Sequence, residues 1–104
     1  MKKDLNKKLL LFTGQPIMTD DNRLEDQEEL TVRRVLIDAL LGERNGEEIK
    51  GEEKLRRYKI ACRCRDCEDG IIDLTAEELT LIKSRVPMFW TTIVSGQVWE
   101  YLEE

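Results

Sequence analysis

Apolar positions along the chain change period several times, and each period predicts an element. Leu5 to Thr13, "LNKKLLLFT", reads as a strand. "TGQP" follows with turn chemistry, Gly14 tolerating positive φ and Pro16 fixing its own. "PIMT" can then return as a partner strand, which gives an N-terminal β-hairpin over residues 1–19. Two strands alone are marginal in water, so Leu9 and Leu11, or their neighbours Leu10 and Phe12, must pack on helices.

Residues 20–30, "DDNRLEDQEEL", are polar and acidic and read as a loop. From residue 31 to residue 104 the pattern is helical. Thr31 is placed to cap a helix whose apolar positions are Val32, Val35, Leu36, Ala39 and Leu40, closed by Leu41 and Gly42. After the polar linker "GERNGEEIKG", a second helix is expected from about Glu52 to Arg65. Its inner stripe is Leu55, Tyr58, Ala61 and Cys62, widened by Ile60 and Cys64.

"EDG" breaks that helix, and "IID" is a short extended segment. Thr75 to Glu78 spells a capping box for a third helix carrying Leu79, Leu81, Ile82 and Val86. Pro87 is expected to end it. Thr91 or Thr92 can start a last helix with Ile93, Val94, Val98, Trp99 and Leu102 inside. Gly96 within that helix costs roughly 1 kcal/mol against Ala, which predicts a closely packed neighbour. The expectation is one α+β domain, mainly helical, with a hairpin followed by about four short helices.

Composition narrows the roles. The chain has 104 residues, 40% hydrophobic and 38% charged, enough for one core with wet outer faces. Its 17 Lys+Arg against 22 Asp+Glu leave a net charge of −5, which disfavours general binding to a phosphate backbone. No apolar run approaches the ~18 residues of a membrane span. The run from Leu9 to Phe12 is too short for a signal peptide, whose apolar region needs ~7–15 residues. An odd number of cysteines also fits a cytoplasmic protein better than a secreted disulfide framework.

Cys62, Cys64 and Cys67 form C-x-C-x2-C, half of a metal signature. A structural zinc site needs four ligands, and the chain has no histidine. On a helix Cys62 and Cys64 point ~200° apart, so a continuous helix cannot converge the three sulfurs. They read as core filler, with a cysteine-ligated metal site and a redox-sensitive Cys64–Cys67 pair as alternatives; Arg63 and Arg65 would favour a thiolate. "CRDCEDGIIDLTAEE" resembles a calcium loop only in its glycine, since Arg65, Cys67 and Ala76 occupy ligand positions. No cofactor is expected.

Arg56, Lys59 and Arg63 line one stripe of the second helix, able to meet nucleic acid or an acidic protein. "EDQEE", Glu25 to Glu29, can offset the field at the N-terminus of the first helix. With no histidine, no nucleophile beside a base and no phosphate-cradling glycine loop, an enzyme is not expected. Trp90, in the apolar hinge after Pro87, reads as core or as an exposed contact, and Trp99 as core.

At "GEEKLRRYKIA", "IDLTAEELTLIKSRV" and "GQVWEYLE" the chain resembles small bacteriophage- and prophage-encoded proteins of unknown function. Gly51 to Lys54, Asp73 to Glu78 and Gly96 to Glu103 carry the match. These are caps and core positions, so the resemblance implies the fold and a phage or prophage setting, and brings no functional residues. The leading reading is a non-enzymatic protein-binding module that docks a host or virion protein, or a second copy, through Arg56, Lys59 and Arg63 or through Trp90. The alternatives are a nucleic-acid-associated regulator using the basic stripe and a metal module using Cys62, Cys64 and Cys67.

Overall fold

The computed structural model describes residues 1–19 and 28–104. The acidic loop, as far as residue 27, and most of "EDQEE" lie outside the described residues. The elements run β1 (Lys2–Asp4), α1 (Val32–Leu41), α2 (Gly51–Asp66), β2 (Ile71–Asp73), α3 (Ala76–Phe89) and α4 (Thr92–Glu103). The architecture is α+β and mainly helical, with the antiparallel hairpin ahead of the helices, as the patterning predicts.

The hairpin is narrower than the apolar run suggests. Ile17 N–H donates to Leu9 O at 3.0 Å, Leu11 N–H donates to Gln15 O at 2.8 Å, and Leu10 pairs with Pro16. Gly14, at φ +89°, takes the left-handed conformation that closes the turn. Leu30 lies beside both arms: its carbonyl accepts from Leu9 N–H, and its own N–H donates to Ile17 O. The longest regular pairing lies elsewhere. β1 joins β2 antiparallel, Lys3 opposite Ile72. The expected extended "IID" is therefore the partner of the first residues. Leu5 and Leu9 are fully buried, whereas Leu11 and Phe12 face out.

α1 is the central element, packed on both α2 and α3. Its five predicted apolar positions are all buried, and the Thr31 hydroxyl accepts from Arg34 N–H as its cap. Gly42 ends it without positive φ. A Cβ there would stand 2.9 Å from the Phe89 ring, so close approach is what calls for glycine. The Thr75–Glu78 capping box forms in both directions.

Three expectations are corrected. α2 buries Ile60, Ala61 and Cys64, while Leu55 and Tyr58 are exposed and Cys62 is only partly covered. The buried face thus keeps Ala61 and the widening residues Ile60 and Cys64, and leaves Leu55 and Tyr58 outside. Pro87 does not end α3, which continues to Phe89. Proline removes the N–H that would reach the carbonyl of Lys83, and that carbonyl accepts instead from Trp99 Nε1–H at 3.0 Å. Trp99 is accordingly not core but 39% exposed, one position off the buried row of Val94, Val98 and Leu102.

One charged residue occupies the core face of α3. Arg85, 3% exposed, forks onto Glu47 of the α1–α2 linker, donates to Gly42 O at 2.7 Å and stacks 5.1 Å from the Phe89 ring centroid. These guanidinium hydrogen bonds, then the Arg44 N–H, hold the Glu47 carboxyl down at about 2. A buried cation needs such pairing.

Candidate interaction surface

The sequence-predicted residues are not brought together. α2 continues to Asp66 and carries Cys62 and Cys64, with Cys67 as its C-cap. Cys64 is fully buried in the core, and burial pushes its thiol up to about 12. Cys67, at the C-cap, donates from Sγ to Cys64 O at 3.1 Å. The Arg33 guanidinium donates to Cys67 O at 3.0 Å, a cation placed at a helix C-terminus. Cys62, partly covered, lies beside Ile37 and Leu41 of α1 and near Tyr58. Among the described residues no three Cys, Asp or Glu side chains gather as a metal-holding group.

The basic stripe is largely engaged within the chain. Arg63 pairs with Glu78 and donates to Asp73 O, and Arg56 sits 3.8 Å from Glu77. These contacts tie α2 to the N-terminus of α3. Lys59 is exposed on the same side. Trp90, the C-cap of α3, is half-buried, and its indole N–H is buried with no partner among the described residues.

The exposed apolar surface lies where the hairpin meets α4. Gln97 locks the two together through one amide. Leu10 N–H donates to its Oε1 at 3.0 Å, and its Nε2 donates to Leu10 O at 2.7 Å, imitating a strand partner. Beyond this clamp Leu11 and Phe12 project at the turn, Phe12 with its whole surface in solvent. A groove of about 740 Å³ separates Leu10, Leu11 and Phe12 from Thr92, Ile93 and Gly96 of α4. A second hollow of about 380 Å³ lies across the same helix, between Gly96 and the Pro87, Trp90 and Trp99 side chains.

Thr92 and Gly96 belong to both hollows, so α4 forms a low saddle between two apolar walls. Of the twelve residues lining the two hollows only Glu100 is charged, in a chain that is 38% charged. The neighbour expected to pack closely on Gly96 is not found among the described residues: a Cβ there would meet nothing within 4 Å. No family model, curated protein or solved structure matches this chain. The geometry therefore stands by itself.

Such a face can bury apolar area against another surface. It presents no paired acid and base and no convergent set of donors. Sequence reasoning reached one of its residues, Trp90, by the aromatic in a hinge. It placed Leu11 and Phe12 among residues that pack on helices, and expected a close neighbour at Gly96 without saying where it comes from. The available signals were the apolar run Leu9–Phe12 leading straight into a Thr-Gly turn and a glycine in mid-helix.

Proposed function

We propose that this chain is a small, non-enzymatic protein-binding module, working in a phage or prophage setting, that docks another protein through the saddle of α4 and the hairpin tip. The observation that supports this is the apolar continuity from Phe12 across Gly96 to Trp99. Interface cores are depleted of charge and enriched in aromatic residues, and this face has both properties. An apolar surface of this kind on a monomer marks an interaction site or an aggregation liability. The basic row of α2 supports docking less well, because Arg56 and Arg63 already have acidic partners.

The test compares three immobilised chains in bacterial host lysate: wild type, Phe12→Asp and Lys59→Glu. The reading expects partners that wild type and Lys59→Glu retain and Phe12→Asp loses. Identical retention by all three, or loss only with Lys59→Glu, refutes docking at this face. A wild type that neither retains a protein nor self-associates refutes the reading altogether.

A further inference from the structure

We infer that the occupant of this face is a second copy of the same chain, α4 crossing α4 antiparallel about a two-fold axis at Gly96; this rests on the protein-binding reading and names its partner. Gly96 is the first reason. Glycine in mid-helix is unfavourable, and among the described residues nothing comes close enough to require it. A bare stretch of backbone, flanked by Thr92 one turn earlier, lets a second helix approach closely.

Charge gives the direction. α4 has no acidic residue in its first turn, and its N-cap Thr91 makes no side-chain cap hydrogen bond. The first N–H groups of a helix favour a carboxylate. In an antiparallel crossing centred on Gly96, a position four residues after it lies level with one four residues before it. Glu100 of each copy then stands beside Thr92 of the other, at the uncapped end of the partner helix. The one charge lining the face thus meets its complement, and in a parallel crossing it would not.

The same axis gathers like walls. Both hairpin tips fall on one side of the helix pair, so Leu11 and Phe12 of each copy meet those of the other. Both Trp99 rings fall on the opposite side. Phe12, fully exposed, and Trp99, 39% exposed, together offer on the order of 300 Å². That is over a third of the roughly 800 Å² per partner of a standard interface, before Leu10, Leu11 and the α4 backbone are added.

Sedimentation equilibrium on the full chain, from micromolar to near-millimolar concentration, tests this. The expected mass rises from one chain toward two. Gly96→Leu, which fills the saddle but improves helix propensity, should fold with unchanged helicity and raise the dissociation constant at least tenfold. Phe12→Asp, a substitution at a fully exposed position, should do the same. Leu41→Asp, on the exposed apolar patch of α1, should leave association unchanged. A wild type that stays monomeric, a Gly96→Leu chain that associates like wild type, or a loss of association with Leu41→Asp overturns the proposal. A monomer that still loses a lysate partner on Phe12→Asp would sink the self-pairing alone and leave the protein-binding reading standing.

Discussion

Trp99→Phe isolates the contact that lets α3 run through its proline. The indole N–H fills the Lys83 carbonyl that Pro87 leaves without its usual donor. Phenylalanine keeps an aromatic ring near the Lys83 ammonium, which lies 5.7 Å from the indole, but removes the donor. A protein hydrogen bond is worth about 0.5–1.5 kcal/mol net. This one is exposed, so water replaces part of it, and the lower half of that range applies. A loss of about 1 kcal/mol lowers the melting temperature of a domain this size by roughly 4–8 °C. Lost ring area would also destabilise, so the single variant is not decisive. The double-mutant cycle with Pro87→Ala is. Alanine restores the N–H at residue 87, which can reach the Lys83 carbonyl and make the indole redundant. Trp99→Phe should then cost about 0.5–1 kcal/mol less than in wild type. Urea unfolding of the four chains, followed by far-ultraviolet circular dichroism at concentrations where the chain is monomeric, measures the difference. Pro87→Ala alone should stabilise, by less than the ~3 kcal/mol of a mid-helix proline, since it sits in the last turn. Equal Trp99→Phe costs in both backgrounds, within about 0.3 kcal/mol, would show that the indole does not compensate for the proline.

Thr75→Ala removes the hydroxyl half of the α3 capping box and should cost about 1 kcal/mol in chemical denaturation, with Thr75→Ser close to neutral. Glu47, held at about 2 by Arg85, contributes stability that is fully present above the ordinary carboxylate value of about 4.3 and is lost as pH falls toward 2; urea midpoints across that window should fall more steeply in wild type than in Glu47→Gln. A chromogenic disulfide reagent should titrate Cys62 and Cys67 in the native chain well before Cys64, whose thiol is buried and raised to about 12; three equal rates would contradict the placement of Cys64 in the core.

Local signals survived folding best. Thr31, Thr75 and the five buried positions of α1 could be read because a cap and a 3.6 period involve neighbours in sequence. α2 was ambiguous for a physical reason: Leu55, Tyr58, Ala61 and Cys62, widened by Ile60 and Cys64, make an apolar face broader than the contact it needs, on an otherwise polar helix. Only the contact with α1 selects Ile60, Ala61 and Cys64. Arg85 was invisible to a count of apolar positions because its partner, Glu47, lies 38 residues away. The pairing of β1 with β2 spans a still longer gap, from Lys3 to Ile72. At the candidate site, Trp90 was legible as an aromatic in a hinge. The saddle needed α4 and the hairpin placed side by side, which Gln97 does through backbone atoms that carry no sequence signature.

The register of Lys2–Asp4 against Ile71–Asp73 sets an order of events. The segment Lys2–Leu10 is made before its ladder partner and its two side-chain clamps, Gln97 to Leu10 and Tyr101 to Asp4, which all come after residue 70. Contacts this distant in sequence form late. A nascent chain halted before β2 would lack both the ladder and the two clamps, and a protease should find Lys2–Asp4 long before it cuts α1.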